Sequence, residues 1–202
     1  MEWFHNILST SGKPWAVQAA GQPFVYFDYN AAGDNTKVYS AVANDWERNF
    51  TYDLLGRKLT YTEGELLDSY TYNGNNLSSY RQRWQESGQI QTKTTYYHYT
   101  AHRMDSVSYD DALSTVYHYN NYGQIDSVYD ESGVMCYEYG NMGEVTKETR
   151  IYALPFLSQP LALSTLFEYD SWGRILNITY PDNEVVNYTY DFGGQLERDI
   201  CY

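Results

Sequence analysis

The sequence predicts an all-β protein built from consecutive antiparallel hairpins. Three observations lead to this prediction: a triplet of an aromatic residue, a polar residue and tyrosine that occurs eight times, a glycine at a fixed distance after most copies, and 24 tyrosines among 202 residues. Residues at i and i+2 share a face in a strand but not in a helix, so rings at that spacing indicate strands. Aromatic residues make up 18% of the chain, which is typical of a sequence that packs rings.

The repeat unit is about 20 residues long. The triplets are Phe27-Asp28-Tyr29, Phe50-Thr51-Tyr52, Tyr70-Thr71-Tyr72, Tyr97-His98-Tyr99, Tyr117-His118-Tyr119, Tyr137-Glu138-Tyr139, Phe167-Glu168-Tyr169 and Tyr188-Thr189-Tyr190. Four of the seven spacings between successive last tyrosines lie within one residue of 20, and the other three are longer, as insertions would make them. We expect the two aromatic positions of each triplet to pack the repeats together, since a cross-strand aromatic pair stabilises a sheet by about 0.2–1 kcal/mol.

A tight turn follows most triplets. Six copies carry a glycine four positions after the last tyrosine: Gly33, Gly56, Gly123, Gly143, Gly173 and Gly194. In six copies Asp or Asn directly follows that tyrosine; such a side chain bonds its own backbone, and glycine tolerates the positive φ of a tight turn. Three copies depart from the pattern, at Asn73-Gly74, Thr100-Ala101 and Gly140, and we expect their turns to be less secure.

The repeats divide the chain into a short N-terminal part and a long array. Residues 1–26 fit the repeat poorly and are a degraded copy or an N-terminal cap, while residues 27–202 form one structural domain of about eight repeats. Insertions lie near 81–91, as an extended hairpin tip or a short helix, and near 153–164. The run Leu154–Pro160 within the second insertion contains two prolines, so it reads as a surface loop or lid whose apolar residues pack onto the sheet.

Two further expectations concern the sheet as a whole. The whole sheet should hold about 14 to 18 strands, and open sheets of more than about ten strands curl, so it should bend into a spiral or partial barrel. A chain of 202 residues is also long enough to bury a sizeable core.

Three of the repeats resemble a known family. The runs Tyr169-Asp170-Ser171-Trp172-Gly173-Arg174-Ile175, Tyr190-Asp191-Phe192-Gly193-Gly194-Gln195-Leu196 and Tyr52-Asp53-Leu54-Leu55-Gly56-Arg57 resemble the YD repeat of the Rhs family. The segment 178–183 is similar to that family's second turn, with Asn183 where the family usually has glycine. The resemblance covers roughly residues 27 to 199. It implies a β-sheet shell that encloses a toxic C-terminal domain in a secreted or cell-surface protein, with wall-associated and teneurin-like proteins among the relatives.

Charge and motifs exclude several classes of function. The net charge of −13 argues against nucleic acid and anionic membranes as partners, because both require a surplus of Lys and Arg. No run of 18 apolar residues indicates membrane insertion, and the first residues, Met1 to Asn6, lack the features of a signal peptide. No hydrolase, phosphate-binding or metal-binding motif is present in the sequence. We therefore expect no enzymatic activity and no cofactor.

The middle residues of the triplets form a polar column, and its His98, His118 and Glu138 are in consecutive copies. Equivalent positions one two-strand repeat apart are about 10 Å apart, too far for two imidazoles to share a zinc ion. We expect a column on the solvated face and no metal site.

Two functions remain open. The first is a structural shell segment whose partner is the rest of a longer polypeptide or its toxin domain. The second is adhesion or carbohydrate binding through exposed aromatic rings. The segment Leu196–Tyr202 begins a repeat that has no second half, so we also expect either a fragment of a longer array or self-association through this terminal strand edge.

Overall fold

The computed structural model describes residues 4–8, 11–42, 45–154 and 156–201, and every regular element in these ranges is a β-strand. None of the described segments is a helix of the length and apolarity needed to cross a membrane. Contacts divide the chain into two compact units, Met1–Tyr97 with Tyr109–Asp111 and His98–Ser108 with Ala112–Tyr202. A single structural domain over residues 27–202 stays a prediction.

The first unit contains strands β1 to β9, each antiparallel to the next. They are β1 (Phe4–Leu8), β2 (Pro14–Ala19), β3 (Val25–Tyr29), β4 (Asn35–Ser40), β5 (Glu47–Tyr52), β6 (Lys58–Glu63), β7 (Leu66–Asn73), β8 (Asn76–Glu86) and β9 (Gln89–Thr100), whose last three residues belong to the second unit.

The second unit contains β10 to β18, except that Tyr109 at the end of β10 belongs to the first unit, and these strands are again antiparallel in sequence order. They are β10 (Arg103–Tyr109), β11 (Thr115–Tyr119), β12 (Ile125–Asp130), β13 (Gly133–Tyr139), β14 (Val145–Tyr152), β15 (Leu161–Tyr169), β16 (Ile175–Thr179), β17 (Val185–Tyr190) and β18 (Leu196–Cys201). The predicted fold class, an all-β antiparallel sheet of consecutive hairpins, is confirmed, and the 18 strands lie at the upper end of the expected range.

A one-residue register shift occurs just before the last tyrosine of seven triplets. The shifts lie at Asp28/Tyr29, Thr51/Tyr52, Thr71/Tyr72, His118/Tyr119, Glu138/Tyr139, Glu168/Tyr169 and Thr189/Tyr190. A bulge of this kind redirects a side chain. The hairpin of β1 and β2 has the same shift at Ile7/Leu8, which favours a degraded repeat over a cap for the N-terminal residues.

The two insertions have different structures. Residues 81–91 are the end of a long hairpin, in which β8 and β9 are joined by Ser87 and Gly88, and contain no helix. Residues 153–154 and 156–160 contain no strand, Pro155 lies outside the described residues, and β15 resumes pairing where Leu161 faces Tyr152. Phe156 and Leu157 are exposed, so the expected packing of apolar residues onto the sheet is not observed for these two, while Leu154 is half-buried.

The expectation of a sizeable core is wrong. Among the described residues, the only buried apolar side chains are Ala16, Val107 and Val186. The accessible surface of the chain is 14223 Å², whereas a compact monomer of this mass exposes about 9,800 Å². The cause is the architecture: the described part of each unit is one sheet of hairpins, without a helix to cover either face. Length predicts a core only where elements pack in at least two layers.

Candidate functional site

The predicted packing residues lie on one side of their strands and the polar column on the other. In all eight triplets both aromatic residues are half-buried and the middle residue is exposed. The sixteen rings are Phe27, Tyr29, Phe50, Tyr52, Tyr70, Tyr72, Tyr97, Tyr99, Tyr117, Tyr119, Tyr137, Tyr139, Phe167, Tyr169, Tyr188 and Tyr190. This alternation has the period of a strand. The two aromatic positions nevertheless make different contacts.

The first aromatic residue of a triplet packs against the other strand of its own hairpin. Phe50 faces Tyr61 with ring centroids 5.3 Å apart, and Tyr70 faces Tyr80 at 5.2 Å. In three other copies the facing residue is aliphatic, as where Ile178 lies opposite Phe167. This position therefore holds the two strands of one hairpin together.

The last tyrosine of a triplet reaches the preceding hairpin. For seven of the eight copies its hydroxyl donates a hydrogen bond to a backbone carbonyl at the start of the neighbouring strand. The donor and acceptor residues are Tyr29 and Pro14, Tyr52 and Asn35, Tyr72 and Lys58, Tyr119 and Met104, Tyr139 and Ile125, Tyr169 and Val145, and Tyr190 and Ile175, at 2.5–2.8 Å. These tyrosine–carbonyl bonds join successive hairpins along one edge of each unit's sheet.

Partial burial of these tyrosines changes their acidity. Burial raises the pKa of the Tyr52, Tyr139 and Tyr169 hydroxyls above the ordinary value, because it disfavours the tyrosinate. Burial and then the nearby Asp68 carboxylate raise the pKa of Tyr80 to about 12. The hydroxyls therefore stay protonated, and able to donate, well above neutral pH.

In four repeats the residue just before the one that supplies the acceptor carbonyl is Lys or Arg. Its charged group stacks on the ring of the tyrosine that donates the hydrogen bond. Arg57 lies 4.2 Å from the ring centroid of Tyr72, and Arg174 lies 4.4 Å from that of Tyr190. Arg103 on Tyr119 and Lys13 on Tyr29 repeat the arrangement at 4.9 and 5.3 Å. These cations are not among the residues predicted from the sequence. Their signal is the cation after the turn glycine in Gly12-Lys13, Gly56-Arg57 and Gly173-Arg174.

Six five-residue turns share one hydrogen-bonding pattern. They span 30–34, 53–57, 120–124, 140–144, 170–174 and 191–195, and their fourth residues are the predicted glycines Gly33, Gly56, Gly123, Gly143, Gly173 and Gly194, with φ between 75° and 89°. In the second turn, for example, the Gly56 N–H donates to the Asp53 carbonyl at 3.1 Å, and the Asp53 N–H donates to the Arg57 carbonyl at 2.9 Å. This is a type I turn closed by a glycine bulge.

The Asx residue that begins these turns has a defined role. Because of the bulge, the Arg57 N–H does not bond to the Asp53 carbonyl. The Asp53 side chain accepts a hydrogen bond from this N–H at 2.9 Å, and a second one from the N–H of Leu55. The backbone hydrogen bond from Arg57 is the main reason that the pKa of Asp53 is lowered. Asp170 accepts from Trp172 and Arg174 in the same way.

The turn at Gly140 forms despite the missing Asx side chain. Its two backbone hydrogen bonds match those of the other turns, and the Glu144 carboxylate accepts the Met142 N–H at 2.9 Å. A β-carbon at Gly140 would overlap that carboxylate, so Glu144 occupies the space of the absent side chain. Where Asn73-Gly74 and Thr100-Ala101 depart from the pattern, two-residue turns at 74–75 and 101–102 close the hairpins. Ala101 and His102 both have a positive φ, 50° and 67°, which residues with a β-carbon rarely adopt. The less secure turn expected at Thr100-Ala101 therefore stays a prediction, whereas the backbone of the Gly140 turn is regular.

The polar column makes contacts within neighbouring strands. His98 shares a 2.9 Å hydrogen bond with Ser108, the His118 ring meets the Tyr129 ring edge-on at 5.2 Å, and Glu138 pairs with Lys147 at 2.7 Å. Within the ranges that the structure describes, no three His, Cys, Asp or Glu side chains come together to hold a metal ion. Cys136 is a free thiol, half-buried in β13.

Comparison with solved structures finds the same fold in toxin complexes. A crystal structure of TcdB2-TccC3-Cdc42 superposes with a TM-score of 0.77 at 13% identity over 98% of this chain. TcdB2-TccC3 without its hypervariable C-terminal region gives 0.70 at 15% identity over 100% of the chain. The Photorhabdus luminescens Tc holotoxin pore with the TccC3 mutation D651A gives 0.65 at 13% identity over 98%.

The chain spans only 11–13% of the length of these solved chains. No protein-family model matches the sequence, and no curated protein shows a significant sequence match. Identity of this order shows the fold alone. The YD-repeat resemblance of the sequence is thus matched by a likeness of fold to Tc toxin complexes over nearly the whole chain.

Proposed function

We propose that the chain is a non-enzymatic wall segment of a YD-repeat shell, part of a secreted or surface protein that encloses or presents a toxin domain. The observation that carries the proposal is the row of tyrosine–carbonyl bonds. In seven of the eight triplets the last tyrosine is engaged with the neighbouring hairpin, as Tyr169 is with the Val145 carbonyl, so these rings build the sheet.

The uncovered surface of the sheet supports the same role. With three buried apolar side chains among the described residues, the sheet has half-buried rings on one side and few packing partners of its own. A wall segment has this property, because one side faces the contents of an enclosure and the other faces solvent. The remainder of a longer polypeptide, or its toxin domain, is the partner that would cover the sheet.

The proposal agrees with the proteins that share the fold. Their structures are those of TcdB2-TccC3 complexes and of a Tc holotoxin pore, and this chain corresponds to about an eighth of their length. A segment of that size supplies part of a wall, and further repeats are needed to close it.

Adhesion through exposed rings is the second candidate. The observation that favours it is a concavity of 720 Å³ beside the exposed rings of Trp172 and Phe192, with Arg174 and Glu197 in its lining. Aromatic rings with nearby polar groups can stack on sugars. The two candidates therefore differ in which rings matter.

The test is to express the complete reading frame that contains these residues and to digest it with a non-specific protease. We expect a domain encoded beyond the repeats to be protected, and Tyr119→Ala to abolish the protection by opening the wall. Trp172→Ala, at an exposed ring, is the matched control and should leave protection intact. A reading frame without such a domain, together with glycan-array binding that Trp172→Ala removes and Tyr119→Phe retains, would replace the wall by the adhesin.

A further inference from the structure

Large apolar side chains stand at the tips of four consecutive five-residue turns in the second unit. They are Tyr122, Met142 and Trp172, each the third residue of its turn, and Phe192, the second residue of its turn, and we name them the tip row. Tyr122 is 91% exposed, Met142 63% and Trp172 80%, and Phe192 is fully exposed. None of these side chains contributes to the tyrosine–carbonyl bonds. Their exposure is a property of the turns and not of the sheet.

The tip row runs across the strands, along the line of turns at one end of the hairpins. The turns join β11 to β12, β13 to β14, β15 to β16 and β17 to β18, and turns of consecutive antiparallel hairpins lie at the same edge. Two strands separate each turn from the next, so the tips are about 10 Å apart and the row is about 30 Å long. Large apolar side chains that are exposed in a row, and not scattered singly, mark an interaction surface.

The surface is concave at the end of the row that carries Trp172 and Phe192. The 720 Å³ concavity lies between these two residues, with Tyr190 and Arg174 in its lining. The Arg174 guanidinium stacks on Trp172 at 4.8 Å, which fixes one wall of this concavity. The concavity is large enough to admit an exposed ring of another molecule. In an isologous dimer each copy would place a tip ring in the concavity of the other.

The area of the tip row agrees with a second copy as the occupant. Covering three rings of about 150–250 Å² each and one methionine removes about 600–900 Å² per copy, close to the roughly 800 Å² per partner of a standard interface. Beside the row, Arg174 is paired with Asp170 at 2.6 Å, while Glu144, Asp191 and Glu197 leave it weakly acidic. Repulsion between two such edges is screened by salt.

We propose that the tip row is an isologous interface through which two copies of this chain associate edge to edge. This surface differs from the terminal strand edge, which offers unpaired backbone groups. It is also independent of the wall function, because it uses the turns and leaves both faces of the sheet free.

The test is sedimentation equilibrium of the 202-residue chain at low and high salt, with Trp172→Ser/Phe192→Ser as the tip variant. Phe156→Ser is the matched control, since Phe156 is 80% exposed in the loop at the opposite edge. We expect a concentration-dependent dimer that tightens with salt, a dissociation constant raised at least about ten-fold by the tip variant, and no change in the control. Circular dichroism checks that both variants keep the strand spectrum.

Three results would overturn the proposal: a parent chain that is monomeric throughout, a dimer that survives in the folded tip variant, or a dimer that weakens as salt rises. A dimer that persists in the tip variant would indicate that the chains associate through the terminal strand edge instead.

Discussion

The Tyr169 hydroxyl donates to the Val145 carbonyl at 2.8 Å although 24 residues separate them. The corresponding separation in the other repeats is 14 to 17 residues. Most of the additional residues lie between the end of β14 and the start of β15, at the ends of the strands opposite the tyrosine–carbonyl bonds, and the rest lengthen these two strands. Insertions at those ends lengthen the repeat without changing how the hairpins are joined.

Tyr169→Phe tests the contribution of one such bond. The substitution keeps the ring and removes the hydroxyl, so we expect the free energy of unfolding to fall by about 1 kcal/mol, the usual net value of a hydrogen bond. Urea unfolding measures this change. Tyr122→Phe is the control, because the Tyr122 ring stands exposed at a turn tip, and it should leave stability unchanged. Equal stability of Tyr169→Phe and the parent would contradict the role of the bond.

Tyr119→Ala should be far more costly than His118→Ala next to it. Tyr119 bonds Met104 and stacks with Arg103, and we expect its loss to cost roughly half of the about 3–5 kcal/mol of a fully buried aromatic ring, since it is half-buried. His118 is exposed and has the Tyr129 ring as a neighbour, so its removal should cost well under 1 kcal/mol. Limited proteolysis should cleave Tyr119→Ala near the altered repeat and leave flanking repeats partly intact. A similar loss in both variants would argue against two distinct sides of the sheet.

High pH should destabilise the protein because several tyrosines have a raised pKa. Tyr52, Tyr80, Tyr139 and Tyr169 ionise near pH 10 in the unfolded chain and at higher pH in the folded one, with Tyr80 at about 12. Between those values the unfolded chain binds fewer protons, so stability is fully present below about pH 10 and falls as the pH rises through the folded pKa. Urea midpoints and tyrosinate absorbance at stepped pH measure the effect. A midpoint that stays constant through this range would contradict the prediction, and Tyr169→Phe should make the decline shallower.

The Gly140 turn can be tested by exchanging its hydrogen-bond acceptor. Gly140→Asp alone places a second carboxylate against that of Glu144, and Glu144→Arg alone removes the acceptor of the Met142 N–H, so each should destabilise the turn. The double variant recreates the ion pair of Asp170 and Arg174, in which Arg174 Nε lies 2.6 Å from Asp170 Oδ2. We expect a favourable coupling energy of about 0.5–3 kcal/mol in a double-mutant cycle of urea unfolding. If the losses of unfolding free energy in the two single variants simply add in the double variant, the acceptor cannot be moved from position 144 to position 140.

Local patterns made much of the fold predictable. The rings two residues apart and the glycine four residues later identified strands and turns, because both depend on short-range geometry. The different contacts of Phe167 and Tyr169 were not predictable, since the bulge at Glu168/Tyr169 and the neighbouring strand decide them. The replacement of an Asx side chain by Glu144 depends on a side chain folding back across its own turn. The missing core had no sequence signal, because residue patterns mark the faces of a strand but not what covers them.

The Gly140 turn has a consequence for how such repeats diverge. Asp53 supplies the turn acceptor from the first position and Glu144 from the last, while the backbone hydrogen bonds remain the same. A lineage can therefore move the acceptor from one end of the turn to the other by two compensating substitutions, and neither step requires a different hairpin. Many repeats drifting independently in this way would lose similarity of sequence long before similarity of shape.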